Sequence, residues 1–162
     1  MIVLGVDPGV ARTGYGVLEE DSAGKLILLA AELIETSQNT PPDRRLFEQY
    51  QIFKVILKKY RPDALAIERV YHGANTKTVV SVGQAMGVAM LAASEESIPV
   101  QEYTPLQVKS AVTGYGSADK TQVQKMVKSL LGLREVLSPD DVSDAVAVAI
   151  CHIHSAKMVA LS

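Results

Sequence analysis

Acidic residues at the ends of short apolar runs constrain this sequence more than any other feature. Asp7 and Glu68 each end an apolar run of strand length, whereas Asp141 and Asp144 open an apolar run that extends to Ile153 and is typical of a buried helix. Buried carboxylates seldom persist unless they are paired or bind a cation, and no pattern of Lys or Arg offers one partner for each acid. Two such charges about 5 Å apart would repel each other by roughly 3 kcal/mol at an effective dielectric of about 20. The sequence therefore predicts that the acids converge on a metal site.

The ligand types favour a hard divalent cation. Two acids from strands and two from one helix suit Mg²⁺ or Mn²⁺, which prefer carboxylate oxygens. Asp141 and Asp144 are three residues apart and therefore lie on one side of the helix. Two such ions about 4 Å apart would activate a water and stabilise the leaving oxygen of a phosphodiester. Zinc is disfavoured, because Cys151, His152 and His154 lack a second ligand pair at zinc-site spacing.

Each acid also has a purely structural interpretation. Asp7 precedes Pro-Gly, which is typical of a turn. Glu68 precedes Arg69, so a local ion pair would explain it, although strand alternation sends the two side chains to opposite faces. Asp141 suits the first turn of a helix, where acids complement the helix dipole, but Asp144 lies beyond that turn. Only the metal site explains all four acids together.

The periodicity of apolar residues predicts an α/β fold in one domain over residues 1–162. The chain is 48% hydrophobic, which suits a single globular domain with a sizeable core. Strands are predicted at about 2–8, 14–19, 26–35, 64–68 and 98–103, and helices at about 43–60, 76–95, 105–112, 119–131 and 139–160. An antiparallel meander followed by strands that alternate with helices predicts one mixed sheet flanked by helices.

Charge and cysteine content narrow the functional classes. The net charge is only −2, so nucleic-acid binding cannot be argued from the field of the whole protein, although residues 69–94 and 103–134 are locally positive. A single cysteine excludes an intramolecular disulfide, and the first residues lack the features of a signal peptide. The longest weakly polar stretch is too short to span a bilayer. We therefore expect a soluble cytoplasmic protein.

The predicted helix at 76–95 is apolar around nearly its whole circumference. One face can pack on the sheet, and small residues such as Gly83 and Gly87 would let a second helix approach the other face. A homodimer contact and full burial within one subunit are both compatible with this pattern. We favour the homodimer.

Several ordered motifs along nearly the whole chain resemble the signatures of the RuvC family of Holliday-junction resolvases. They are Gly5-Val6-Asp7-Pro8-Gly9 with Thr13-Gly14-Tyr15-Gly16, Ile67-Glu68-Arg69-Val70-Tyr71, Gln84-Ala85-Met86-Gly87, Pro105-Leu106-Gln107-Val108-Lys109, Gly114-Tyr115-Gly116-Ser117-Ala118-Asp119-Lys120, and Asp141-Val142-Ser143-Asp144-Ala145-Val146-Ala147. The resemblance implies an RNase H-like fold with a five-stranded mixed sheet, a homodimer, and Mg²⁺-dependent paired nicking of four-way junction DNA in recombination and repair. It also implies two Mg²⁺ ions per active site, which Mn²⁺ can replace, and work beside a branch-migration complex of RuvA and RuvB.

The resemblance assigns roles to individual residues. The catalytic acids that bind the metal would be Asp7, Glu68, Asp141 and Asp144. Lys109 and Lys120 match basic residues near the site, where an ammonium would anchor the scissile phosphate. Tyr71 stands where the family pattern commonly has Phe, and its ring would stack on an unpaired base. Further DNA contacts are expected from Asn75, Arg69, His72 and Lys77.

Two other classes of function remain compatible with the sequence. The opening Gly-Val-Asp-Pro-Gly segment also resembles the first phosphate loop of actin-like and sugar-kinase ATPases, but those enzymes need two such domains with a cleft between them. A catalytically inert junction-binding module is the other alternative. The four acids argue against it, because uncompensated carboxylates hinder the binding of a polyanion.

Overall fold

The structure, a computed structural model, describes residues 1–69 and 76–160 and contains one five-stranded mixed sheet. Its strands are β1 (Ile2–Asp7), β2 (Arg12–Glu20), β3 (Leu26–Glu35), β4 (Ala64–Glu68) and β5 (Val100–Tyr103). Its helices are α1 (Pro42–Tyr60), α2 (Thr76–Glu95), α3 (Pro105–Thr113), α4 (Lys120–Leu130) and α5 (Asp140–Ala160). None of the helices in these two ranges has the length and apolar character needed to span a membrane.

The sheet has the strand order β3-β2-β1-β4-β5. The first three strands form an antiparallel meander, and β4 and β5 continue the sheet in parallel with β1. Both parallel connections run through a helix, as parallel pairing requires. The predicted α/β class, the RNase H-like arrangement and the order of the elements are therefore confirmed.

Strand alternation divides the core into two layers. Val3 belongs to the apolar cluster beneath α3, α4 and α5, whereas Leu4 and Val6 belong to the cluster beneath α1 and α2. Asp7 has the same parity as Val3, so its side chain projects toward the α5 face. Glu68 has the same parity as Ala66, which also packs in the α5 layer. The two strand acids therefore emerge on the face that α5 covers.

Glycines on β1 and β2 allow α5 to lie directly on the sheet. A Cβ atom on Gly5 would overlap the carbonyl oxygen of Ala145, and a Cβ atom on Gly14 would overlap the carbonyl oxygen of Asp141. Gly14 is the register partner of Asp7 across the β1–β2 pair. Because Gly14 has no side chain, the first turn of α5 can lie beside Asp7. This contact brings Asp141 and Asp144 close to the strand acids.

Helix α2 is buried along one face only. Ala85, Ala89 and Ala92 are buried, whereas Val80 and Leu91 are 55% and 57% exposed. A Cβ atom on Gly83 or Gly87 would meet no atom within 4 Å among the described residues. Full burial of this helix within one subunit, which the sequence left open, is therefore wrong for its outer face.

We expect Gly14→Ala to destabilise the protein by about 1–3 kcal/mol or more, because the added methyl group overlaps helix backbone, which cannot rotate away. Urea-induced unfolding followed by circular dichroism measures this effect. The parent protein, measured under the same conditions, is the reference. A Gly14→Ala protein with the unfolding midpoint of the parent would contradict the proposed close contact between α5 and β2.

Candidate active site

Asp7 and Glu68 lie side by side at the carboxyl ends of two adjacent parallel strands. The register pairs Val6 with Ile67, so the two acids are the next residues along β1 and β4. Both are only partly exposed, and each belongs to the face that packs against α5. Two strands that end at the same level therefore place two carboxylates at one edge of the sheet, as the sequence predicts.

The first turns of α5 bring two further acids to this edge, and cationic side chains accompany them. An Nη2 atom of Arg12 lies 3.2 Å from Oδ2 of Asp141, and Nζ of Lys120 lies 3.0 Å from Oδ2 of Asp144. The same ammonium group lies 3.1 Å from Oδ2 of Asp140. The expectation that the acids lack basic partners is therefore wrong for the helix pair. It failed because both cations come from elements distant in sequence.

The carboxylates interact strongly with one another. Burial, followed by the negative charges of Asp144, Glu68 and Asp141, raises the pKa of Asp7 to about 7, against a usual value of 3.8. Burial and the charge of Asp144 also raise the pKa of Glu68. Burial raises the pKa of Asp144 although Lys120 opposes the shift. The charges of the other three acids all act on Asp7, so the four carboxylates lie close enough to share one electrostatic environment.

A pocket of about 260 Å³ opens beside these acids. Glu68 and Asp144 supply its carboxylates, and Lys109 and Lys120 supply its positive charges. Its remaining lining residues are Pro105, Val108, Val123 and Ala147. The two lysines predicted to stand near the acids therefore do so, from α3 and from the start of α4.

The donor set fits a hard divalent cation in chemistry but is not arranged around one. All four candidate ligands offer carboxylate oxygens, which suit Mg²⁺ or Mn²⁺. Within residues 1–69 and 76–160, however, no three His, Cys, Asp or Glu side chains are grouped closely enough to hold a metal. Arg12 and Lys120 occupy part of the space by pairing with the helix acids. A dication would relieve the repulsion that raises the pKa of Asp7, provided that these two cations give way.

The other predicted DNA contacts have different positions. Arg69 follows β4 directly, and its Nε atom lies 3.2 Å from Oε2 of Glu102, so its exposed guanidinium is tied to β5. Lys77 lies in the first turn of α2, outside the residues whose side chains are described. Tyr71, His72 and Asn75 lie outside the described residues altogether. A role of these residues in binding DNA stays a prediction.

Both histidines of α5 make hydrogen-bonding contacts with neighbouring elements of the protein. His152 shares a 2.8 Å hydrogen bond through Nδ1 with the hydroxyl group of Tyr103, and burial lowers the pKa of this imidazole. His154 uses Nδ1 in a 2.9 Å contact with the carbonyl oxygen of Ala111. Cys151, which directly precedes His152, is a buried free cysteine. The Nδ1 atoms of both histidines are therefore engaged in contacts within the protein.

Sequence reasoning missed a buried amide that holds the turn after Asp7. Gln49 of α1 is fully buried, and its Nε2 donates hydrogen bonds to the carbonyl oxygens of Gly9 and Val10 at 2.7 and 3.1 Å. It also donates to Oγ1 of Thr13 at 3.1 Å. The available signal was position, because Gln49 falls on the apolar face of a predicted helix, four residues before Phe53. Hydrogen bonds from α1 therefore hold the turn that carries Arg12.

Comparison with known proteins finds relatives over almost the whole chain. The model of the family described as Crossover junction endodeoxyribonuclease RuvC matches residues 3–152. The chain is 48% identical over 159 residues to the protein of that name from Caldicellulosiruptor saccharolyticus, with 98% of this chain and 96% of the relative covered. The corresponding protein of Pelotomaculum thermopropionicum is 51% identical over 154 residues, 95% of this chain and 93% of the relative. A solved structure of T. thermophilus RuvC in complex with Holliday junction substrate has a TM-score of 0.94 and 36% identity, and the match covers 98% of this chain and 96% of that one.

The raised pKa of Asp7 predicts that, without divalent cations, the protein loses stability as pH rises. The folded state holds the Asp7 proton up to about pH 7, whereas the unfolded state releases it near 3.8, so the stabilisation is complete below 3.8 and is lost as pH passes through 7. Between pH 5 and 8 in EDTA, Asp7 should therefore remove roughly 2 kcal/mol of unfolding free energy. Urea titrations at several pH values measure the slope.

Asp7→Asn provides the test, because the amide cannot ionise. We expect this variant to lose less stability than the parent between pH 5 and 8 and to be the more stable protein at pH 8. Asp43→Asn changes an exposed carboxylate on α1 and is the matched control. Parallel pH profiles for the parent and Asp7→Asn would show that the acids do not repel one another as described.

Proposed function

The chain belongs to the RuvC family of crossover junction endodeoxyribonucleases, and on this premise we propose that it resolves Holliday junctions by paired nicking of two opposite DNA strands. One observation carries the proposal beyond family membership. The charges of Glu68, Asp141 and Asp144 all act on Asp7, and two of these acids, Glu68 and Asp144, line one pocket together with Lys109 and Lys120. Clustered carboxylates have no evident benefit for folding. Hydrolysis of a phosphodiester can use carboxylates to bind a metal ion and ammonium groups to bind the phosphate.

In this proposal the four acids hold Mg²⁺, with Mn²⁺ as a substitute. Asp7 is the central ligand, because its pKa responds to all three of the other acids. Glu68 would hold one ion and the α5 pair, Asp141 and Asp144, would hold a second, with Asp7 contributing to both. When bound, Mg²⁺ supplies the Lewis acidity that makes a water nucleophilic and stabilises the leaving 3′ oxygen. A dication in place of the Asp7 proton also removes the repulsion between the acids.

The lysines have a separate task, which is to bind and orient the scissile phosphate. Lys109 lines the pocket from α3, and its charge acts against the raised pKa of Glu68. Lys120 pairs with Asp144 and Asp140 and is about half exposed, so its ammonium group can move to a phosphate oxygen when the acids are neutralised otherwise. Such positioning contributes to catalysis by reducing the entropy lost on reaching the transition state.

We further propose that the outer face of α2 forms a homodimer. This face exposes Val80 and Leu91 beside Gly83 and Gly87, and small residues allow a partner helix to approach closely. A dimer supplies two active sites, which paired cleavage of opposite strands requires. The spacing between the two sites then selects four-way DNA over linear duplex, because the four acids by themselves carry no information about the substrate.

The remaining parts of the proposal rest on family membership. They are action on DNA in the cytoplasm and cooperation with a branch-migration complex of RuvA and RuvB. Neither alternative suggested by the sequence is favoured. The family match spans residues 3–152, which leaves the ATPase interpretation without support, and a family of nucleases gives no reason to regard the acids as inert.

We expect Asp7→Asn to bind a synthetic four-way junction with affinity within about threefold of the parent while its Mg²⁺-dependent cleavage falls by at least about 100-fold, because an amide is a poor ligand for Mg²⁺. Gel-shift and strand-nicking assays on the same labelled junction measure the two properties. EDTA should abolish cleavage by the parent, and linear duplex should not be nicked. Asp43→Asn is again the control and should cleave normally. Equal cleavage by the Asp7→Asn variant and the parent would refute the assigned role.

Leu91→Glu should convert the protein to a monomer, because it places a charge in the proposed apolar contact. Sedimentation equilibrium measures the mass, and the nicking assay should show loss of paired cleavage. Val55→Glu is the matched control, since Val55 is 66% exposed on α1 and lies beside Tyr15 and Glu32, away from α2. A dimeric Leu91→Glu protein, or monomers from both variants, would rule out this interface.

A further inference from the structure

A groove of about 460 Å³ lies on the other side of the β1–β2 turn from the catalytic pocket. The turn itself, the first residues of α1 and the outer part of α2 form its walls, and its lining residues are Gly9, Val10, Ala11, Arg12, Pro42, Arg45, Ser81, Val82 and Gln84. Two of these residues are arginines and none is acidic. The groove is thus a positively charged surface in a protein whose net charge is −2.

Arg45 is held in place without a counter-ion. Its Nε atom donates a 2.9 Å hydrogen bond to Oγ1 of Thr36, and this hydroxyl group in turn donates to the carbonyl oxygen of Val10 at 2.5 Å. Its Nη2 atom is buried, and within the described part of the chain no hydrogen-bond partner or carboxylate meets it. A guanidinium with a desolvated, unpaired nitrogen is costly unless an anion completes it. A rotation of the planar group toward the groove would present that nitrogen to such an anion.

Arg12 connects the groove to the catalytic acids. It lines the groove, and its Nη2 atom lies 3.2 Å from Oδ2 of Asp141. The turn that carries it is rigid, because Gln49 and Thr36 hydrogen bond to its carbonyl groups. Arg12 and Arg45 therefore form a basic path that begins at the active site and passes over the turn to the α1 and α2 side of the sheet.

We propose that this groove binds a backbone phosphate of the DNA strand that leaves the catalytic pocket, with Arg45 as its main ligand and Arg12 as the ligand nearest the acids. The inference rests on the proposed nuclease function and adds a second phosphate contact to it. The guanidinium fork is suited to two oxygens of one phosphate. The groove also lies between the active site and the outer face of α2, so a strand bound there runs toward the proposed partner subunit.

The salt dependence of junction binding tests the proposal. In EDTA, which prevents cleavage, we expect Arg45→Ala to bind a four-way junction about 3- to 10-fold more weakly than the parent at low salt and to reduce the slope of log Kd against log salt by about 0.9, the contribution of one phosphate contact. Arg45→Lys keeps the charge and should restore most of the slope. Arg44→Ala is the matched control, because its side chain is 72% exposed, pairs with Asp43 and does not line the groove.

A parent-like slope for a folded Arg45→Ala protein would overturn the groove proposal. The two proposals fail in different ways. A parent protein that does not bind junction DNA would refute the nuclease and the groove together, whereas a parent-like slope for Arg45→Ala, measured against a parent that does bind, would refute the groove alone. A purely structural role of Arg45 would lower the melting temperature and leave the slope unchanged, which also overturns the proposal.

A second pair of variants decides the case if Arg45→Ala does not fold. Ala11→Asp adds a carboxylate at the exposed edge of the groove, where Ala11 contributes only its backbone to hydrogen bonding. We expect it to weaken junction binding about 3- to 10-fold at low salt and to have little effect at high salt. Ala23→Asp in the β2–β3 turn is the control and should bind as the parent does. Normal binding by Ala11→Asp would overturn the proposal.

Discussion

The close contact between α5 and the β1–β2 pair is the constraint on which the rest of the structure depends. The helix can reach the sheet only where Gly5 and Gly14 leave space for its backbone. Because Gly14 is paired with Asp7, the same contact that closes the core also brings Asp141 and Asp144 to the strand acids. The contact between α5 and the sheet therefore both packs the core and positions the carboxylates. A change that moves the helix would also move Asp141 and Asp144.

The assembled acids oppose the stability of the fold that assembles them. Burial, and then the charges of three other carboxylates, raise the pKa of Asp7 to about 7. Lys120 and Arg12 reduce this repulsion by pairing with the helix acids, but both side chains are about half exposed and each can be displaced. The arrangement resembles other functional sites in which stability is lower than packing would permit. In the proposed function, a dication bound by these acids would neutralise charge that the protein itself leaves unbalanced.

The β1–β2 turn links the two faces of the sheet. On the α5 face it presents Arg12 to Asp141, and on the opposite face it is held by Gln49 and by Thr36, to which Arg45 is hydrogen bonded. The buried amide of Gln49 would be costly in an apolar core if it did not satisfy the turn carbonyls. Helix α1 therefore influences the site indirectly. It holds the β1–β2 turn in place, and Arg12 projects from this turn toward Asp141.

Local features of the sequence predict the strands, the helices and the candidate acids, because each depends on periodicity or on a charged residue at the end of an apolar run. The sequence also indicates that α2 has an apolar outer face. Which cations accompany the acids depends on how the whole chain packs, because Arg12 and Lys120 are distant in sequence from the aspartates they meet and no local pattern encodes that pairing. The same holds for Gln49 and Arg45, whose partners lie on other elements. The periodicity of apolar residues predicts which face of a helix or strand is buried. The residues that this face contacts are known only once the chain is packed.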